Sequence, residues 1–376
     1  MDEAYLFDEY ARLIDAGRIL DRSQFPPQVM SEYERYLRRV RALIVSVRTV
    51  ERGLPDVFTE YVSNPMFNAY AAKYKGSYFI AFFEGMPIIV STVVNRMLAD
   101  GRLFASIGDP KAEEQTLPPL SGLTSEGRIY NANHQPVSPR QATRQIYAAH
   151  LCNLIFDYLA AHEMAHIVNG HASYTAFEFT VPCIMEFGSI PATTEASLES
   201  QAMELDADFT AALPMVTMLR RIVAARDQLP EPLVSRYALP SNAIYDLATA
   251  ICILFRLFGD SGITGVDLSK ASHPPNRLRQ MMILNAMGNY IEERWDKALY
   301  RVAEEQFSRA VHDVEYAYER ITADPQQVTG LNDVWSTRGL GYAATIANYW
   351  NSTLRPKLED HSTAKLSIYN FDDWKQ

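Results

Sequence analysis

Apolar residues recur at helical spacing through most of the chain, and this pattern predicts a predominantly helical protein. The spacing is clearest just before the sequence HEMAHIVNGH, where one stripe of apolar side chains leads into two histidines. The members of the stripe are Leu151, Leu154, Ile155, Tyr158, Leu159, His162 and His166. Similar stripes predict helices over residues 1–55 with a break at 25–27, and over 141–169, 195–227, 241–258, 275–322 and 337–355.

A strand-like stretch interrupts the helical pattern between residues 76 and 107, where Tyr, Phe, Ile and Val are frequent. We expect it to form a small sheet, so the expected fold class is α+β and predominantly α-helical. Residues 78–94 are expected to include an edge strand beside the functional site, where an extended peptide can pair with it. Residues 107–140 hold five prolines among Gly, Ser, Thr and Asn, which predicts an irregular loop or cover.

Two long apolar stretches are candidates for membrane spans, and neither has the required character. Residues 79–94 form a run of only 16 residues that contains Glu84 and Pro87. Residues 242–258 contain Asp246 and Arg256. Because a spanning helix needs about 20 predominantly apolar residues, we expect both stretches to be buried core and predict no membrane span.

The formal net charge of −10 argues against sequence-independent binding of nucleic acid, which needs a surplus of Lys and Arg. Only three cysteines are present, Cys152, Cys183 and Cys252, so no disulfide framework is expected. The first residues, MDEAYLFDEY, lack the basic and apolar segments of a secretory signal. These features together predict a cytoplasmic protein.

The HEMAH segment has the spacing of a metal site. His162 and His166 are one helical turn apart, so their imidazoles lie about 40° apart around the helix and can share one ion. Glu163 projects about 100° from His162, which suits a general base acting on a zinc-bound water. The competing interpretation is a pair of hydrogen-bonded core histidines, and a third ligand would decide between the two.

The sequence ELDAD, residues 204–208, offers that ligand. Glu204 and Asp208 are four residues apart and share one face of a helix, whereas Asp206 points nearly the opposite way. Glu204 can complete a site of two histidines and one glutamate around a single Zn²⁺, and Asp208 can orient a ligand imidazole. An acidic surface turn is the alternative, but the neighbouring apolar residues favour a buried helix.

A third segment, SHPPNRLRQ, contains His273, Arg277 and Arg279. Two prolines after His273 would fix the backbone at the start of a helix and hold the imidazole still. A fixed His or Arg beside a metal-activated water can stabilise the oxyanion that forms when water attacks a carbonyl. The alternative is a simple helix cap.

Taken together, HEMAHIVNGH, ELDAD and SHPPNRLR resemble the ordered motifs HExxHxxxxH, ExxAD and HPxxxxR of gluzincin zinc metallopeptidases, including the HtpX and CAAX-prenyl-protease group and the smaller Lit-type phage-exclusion peptidases. The motifs span residues 162–279, about a third of the chain. The resemblance implies a zincin core with zinc ligands His162, His166 and Glu204, and Glu163 as the base. It also implies that Asp208 supports a ligand and that His273 and Arg279 stabilise the transition state. Arg279, six residues after His273, fits the family spacing better than Arg277.

The chain departs from the HtpX and prenyl-protease pattern because it lacks transmembrane helices around the motifs, and in this it is more similar to the Lit type. We expect a metallopeptidase core over residues 61–300, between an N-terminal helical region (1–60) and a C-terminal helical extension (301–376) that the resemblance does not explain. The resemblance implies an endopeptidase with a protein or peptide substrate, regulated or linked to defence. The alternatives are a sensing or regulatory module with little proteolysis and a metal-free helical interaction protein.

His171 is the third histidine of HEMAHIVNGH, and its spacing argues against metal ligation. On an unbroken helix it would lie about 180° from His162, and if Asn169 and Gly170 end the helix its direction is free. Motifs that use a third histidine place it ten residues after the first, and here the separation is nine. We therefore expect His171 to be a helix-terminal residue that supports the site or meets substrate.

Overall fold

The computed structural model describes residues 2–50, 53–120, 136–178, 184–185, 193–259, 263, 270–322 and 333–370. Most of them are helical, as the apolar spacing predicts. A π-helical turn, Trp350–Leu354, joins the last two of the helices named here. The helices are α1 (Glu3–Leu13), α2 (Pro27–Val50), α3 (Gly85–Ala99), α4 (Ala142–Val168), α5 (His171–Glu178), α6 (Thr194–Ala224), α7 (Leu233–Arg236), α8 (Pro240–Leu257), α9 (Asn276–Arg294), α10 (Leu299–Thr322), α11 (Thr337–Tyr349) and α12 (Arg355–Leu358).

One small sheet accompanies the helices. Its strands β1 (Val57–Val62), β2 (Ala69–Tyr74), β3 (Ser77–Phe83) and β4 (Ile184–Met185) lie in the order β1-β3-β2-β4. β3 runs parallel to β1 and antiparallel to β2, and β4 adds to β2 antiparallel. Lys75 and Gly76, both with positive φ, form the two-residue turn between β2 and β3. The expected class, α+β and predominantly helical, is confirmed.

The edge strand expected within residues 78–94 is wrong in two respects. β3 lies inside the sheet, paired on both sides, and the chain after it forms the buried helix α3. A short apolar run buried on every side has no polar face, so its pattern does not distinguish helix from strand. Residues 121–135 of the predicted loop or cover at 107–140 lie outside the described residues. The described part before them is irregular apart from the short 3-10 turn Pro110–Ala112.

The central helix is α4, which carries the HEMAH segment. It packs against β2 and β3 and also contacts α2, α3, α6 and α8. Arg39 of α2 donates to the buried carboxylate of Asp157 and ties α2 to α4. One hydrophobic cluster extends from Leu6 to Leu366 and surrounds α4. The region boundaries at residues 60 and 300 remain predictions.

The second long apolar stretch forms α8, which is buried along most of its length. Its Asp246 accepts hydrogen bonds from Tyr147 and Arg236, so the charge inside this helix has partners within the protein. Within the part of the chain that the structure describes, no helix is both long and apolar enough to cross a bilayer.

The end of α4 is held by a segment far along the chain. Asn169 caps the helix and Gly170 follows with φ +83°, a left-handed conformation that favours glycine. The N–H of Thr363 donates to the Val168 carbonyl at 2.9 Å. A Cβ on Gly170 would lie 2.6 Å from the carbonyl carbon of His361. Residues 361–370, the C-terminal segment, therefore press directly on the end of the HEMAH helix.

Replacing Gly170 with alanine is expected to destabilise the fold, because the new methyl group meets backbone as well as an unfavourable φ. Strain alone should lower the free energy of unfolding by about 1–3 kcal/mol. The matched control is Gly341→Ala in α11, where nothing lies within 4 Å of the added carbon. That change should raise stability by about 0.5–1 kcal/mol. Equal denaturation midpoints for the two variants would contradict the packing described here.

Candidate metal centre

Two helices, α4 and α6, supply three buried side chains that could hold a metal ion. His162 and His166 lie one turn apart on α4, and Glu204 on α6 faces both. The two imidazole Nε2 atoms are 3.0 Å apart. The Glu204 carboxylate oxygens lie 3.4 Å from Nε2 of His162 and 3.5 Å from Nε2 of His166. The three residues expected as ligands are thus brought together.

The spacing of these atoms fits one shared ion. Donor atoms bonded to an ion at about 2.0–2.2 Å in a tetrahedral arrangement lie about 3.3–3.6 Å apart, close to the separations found here. The donor set also favours a cation. A carboxylate offers only lone pairs, and a neutral imidazole offers a lone pair on whichever nitrogen carries no proton. Three such groups pointing at each other in a buried site repel one another unless positive charge lies between them.

Asp208 orients the first histidine. Its Oδ1 lies 3.0 Å from Nδ1 of His162 and accepts a hydrogen bond from the Tyr158 hydroxyl at 2.9 Å. Burial by itself raises the pKa of Asp208, but the positive charge of Arg279 and the contact with His162 outweigh burial and hold the pKa below its ordinary value. A carboxylate at Nδ1 leaves the Nε2 lone pair of His162 directed at the ligand cluster.

Arg279 lies between Glu204 and Asp208, two of the three carboxylates of ELDAD. Its guanidinium donates to both oxygens of Asp208, at 2.7 and 3.0 Å, and one nitrogen lies 3.2 Å from Glu204. Arg277, the other candidate, instead pairs with the buried Glu315 of α10. The structure therefore brings the arginine six residues after His273 to the site, in the first turn of α9.

His273 reaches the cluster from the segment that precedes α9. Its Nε2 lies 3.6 Å from Glu204 and its Nδ1 lies 2.8 Å from the Ser272 hydroxyl. Ser197 and Gln201 of α6 both donate to the Ala271 carbonyl, which fixes this segment against α6. The His273 side chain is 13% exposed, compared with 1% for Glu204. His273 therefore lies on the more open side of the cluster.

Glu163 follows His162 on α4 and is 1% exposed. Its position beside one ligand and its burial are compatible with the expected base. Side chains from all three motifs thus meet between α4, α6 and the start of α9, and Glu163 lies next to one of them along α4. Those that meet are His162, His166, Glu204, Asp208, His273 and Arg279.

His171 and Asp206 lie behind the cluster. The Nδ1 atoms of His166 and His171 are 2.9 Å apart, and Nε2 of His171 lies 3.1 Å from Asp206. Asp206 does project away from Glu204 and Asp208, as its position in ELDAD implies. Its contact with His171 was not predicted from the sequence. A signal was available, since a charged residue on a helix buried on all sides requires a buried partner.

Comparison of the chain with models of known protein families, with curated proteins and with solved structures found no match. What the site does is therefore inferred from its own residues.

Removing the carboxylate of Glu204 is expected to abolish tight metal binding, because two histidines alone leave the site incomplete. Metal analysis after dialysis should find Glu204→Ala largely empty. Glu199→Ala is the matched control on α6, since Glu199 is also buried but contacts Tyr349 and Lys357 instead. The control should keep its metal, and a metal-loaded Glu204→Ala protein would exclude Glu204 as a ligand.

Proposed function

We propose that the protein is a zinc-dependent endopeptidase that hydrolyses peptide bonds of a protein substrate. The observation that carries the proposal is the convergence of His162, His166 and Glu204 on one buried point, with Glu163 next to the first of them. The order of the motifs HExxH, ExxAD and HPxxxxR supports it independently, through the resemblance to gluzincin peptidases.

Zinc is the ion that this donor set favours. Two imidazoles and one carboxylate, with a fourth position open, are the ligands of catalytic zinc in several hydrolases, whereas magnesium and calcium prefer oxygen ligands alone. When bound, zinc supplies a Lewis acid that polarises a carbonyl and lowers the pKa of a coordinated water.

Glu163 is the proposed general base, and takes the proton from the water that attacks the scissile carbonyl. A carboxylate suits this role here because Glu163 follows His162 on α4 and is not a member of the candidate ligand group. The same group can then carry the proton to the leaving amine.

His273 and Arg279 are proposed to stabilise the oxyanion. Their surroundings support this role more strongly for His273 than for Arg279. His273 is partly exposed beside Glu204, so a substrate carbonyl arriving from this side would meet its Nε2 first. Arg279 is 1% exposed and already contacts Asp208 and Glu204. These contacts favour a second task for Arg279, which is to hold the two carboxylates in position.

One observation favours the alternative, a metallopeptidase-like sensing or regulatory module with little proteolysis. The three candidate ligands and Glu163 are each only 1% exposed, so a peptide reaches them only if the protein opens. The retention of a buried carboxylate beside His162 speaks for hydrolysis, because a module that only binds metal has no use for a base. We extend the proposal to a cytoplasmic enzyme that stays quiet until a signal opens the site, as the Lit-type resemblance implies.

Glu163→Gln is expected to leave the metal bound and the fold intact, since an amide of the same size replaces a group that moves protons. Peptide hydrolysis should fall by several orders of magnitude. The assay compares new peptide termini in a protein mixture incubated with wild type, with variant, and with wild type plus chelator. Cleavage by the variant at the wild-type rate would exclude Glu163 as the base.

His273→Ala is expected to lower kcat by ~10²-fold or more while metal content stays at the wild-type level, because one oxyanion donor is lost. Steady-state kinetics and metal analysis on the same preparation separate the two effects. If the variant loses its metal, His273 is a ligand and the oxyanion role is wrong.

A further inference from the structure

A line of buried polar side chains continues behind His166, on the side away from the ligand cluster. Nδ1 of His166 lies 2.9 Å from Nδ1 of His171, and Nε2 of His171 lies 3.1 Å from Oδ2 of Asp206. Asp206 in turn accepts hydrogen bonds from the Tyr369 hydroxyl at 2.6 Å and from the Asn169 amide at 2.5 Å. His171 is 0% exposed and Asp206 is 1% exposed.

The chemistry of these atoms fixes where the protons lie. Two donors, Tyr369 and Asn169, already approach Asp206, which therefore faces His171 as an acceptor. The His171 Nε2 atom lies close to this carboxylate without the alignment of a hydrogen bond. A lone pair on Nε2 would be repelled by the carboxylate, so the proton of a neutral His171 belongs on Nε2 and its Nδ1 carries the lone pair. Since one of the two facing Nδ1 atoms has to donate, the proton lies on Nδ1 of His166. The Nε2 atom of His166 is left with its lone pair directed at Glu204 and His162.

We propose that His171 and Asp206 are positioning residues that fix the tautomer and ring orientation of His166. Asp206 sets the tautomer of His171, and His171 in turn sets the tautomer of His166. The proposal rests on the metal centre of the proposed function. It assigns the two ligand histidines different supports. His162 faces a carboxylate directly, in Asp208, whereas His166 faces a carboxylate through a second imidazole.

Trp350 and the C-terminal segment complete this support. Tyr369 holds one oxygen of Asp206, and its backbone N–H donates to the Asn351 side chain at 3.0 Å. The Trp350 ring packs edge-on against His171, with ring centres 5.9 Å apart, and its Nε1 donates to the Ser367 carbonyl. Both His171 and Asp206 are thus enclosed by residues from the end of the described chain, which leaves the His171 ring little freedom to rotate.

The tautomers can be measured directly by NMR correlation of imidazole nitrogens and carbon-bound protons in ¹⁵N-histidine-labelled, full-length protein. His171 is expected to carry its proton on Nε2 with and without added zinc, and His166 to carry its proton on Nδ1. A His171 proton on Nδ1 would overturn the proposal. Because this measurement needs no substrate, it stays informative even if the protein proves to lack peptidase activity.

A pair of substitutions separates positioning from simple packing. His171→Asn keeps an acceptor at the position of Nδ1, whereas His171→Leu keeps the volume and removes the acceptor. Zinc affinity, measured by competition with a chelating dye, should fall about 10–100-fold in His171→Leu and only a few-fold in His171→Asn.

His150→Leu provides the matched control, because His150 lies on α4, the helix that carries His162 and His166, and contacts Tyr237 instead. Its zinc affinity should equal that of wild type. If packing were the whole role of His171, the apolar variant would bind zinc at least as tightly as His171→Asn. Zinc affinity in His171→Leu equal to or higher than in His171→Asn would refute the assignment.

Discussion

Burial of several carboxylates between two helices is the constraint on which the rest of this structure depends. Glu163, Glu204, Asp206 and Asp208 are all withdrawn from water, and a buried carboxylate is tolerated only where donors or cations compensate it. Asp208 has Arg279, Tyr158 and His162, and Asp206 has Tyr369, Asn169 and His171. Glu204 has Arg279 on one side, and a metal ion would provide the charge on the other.

The surrounding fold holds these compensating groups in fixed positions next to the carboxylates. The sheet and α2 brace α4 on one side, and α6 and α8 pack on the others. A metal centre requires ligands held within a fraction of an ångström. Here the two candidate histidines lie on α4 and the candidate carboxylate, Glu204, lies on α6. Long helices buried on all sides suit this purpose. They require the sequence to place charged residues, such as Glu204 and Asp206, inside the core.

Local periodicity predicted the parts of the site that lie on single helices. The one-turn spacing of His162 and His166 and of Glu204 and Asp208 is a property of the α-helix, and α4 and α6 begin and end close to the expected residues. Contacts between distant segments have no such signature. The pairing of Asp206 with Tyr369, 163 residues away, and the formation of a helix by the apolar run after β3 depend on tertiary packing that a single sequence does not encode locally.

The contact between the C-terminal segment and the end of α4 has a consequence for the order of assembly. Ribosomal synthesis delivers the candidate metal ligands well before Tyr369, so a nascent chain can contain His162, His166 and Glu204 while Asp206 still lacks its phenolic partner. Full enclosure of His171 has to wait until Trp350 and the residues after it have emerged. Assembly of the region around His171 therefore waits for residues 350–369, and a chain that stops before Trp350 would contain the candidate ligands without the enclosure.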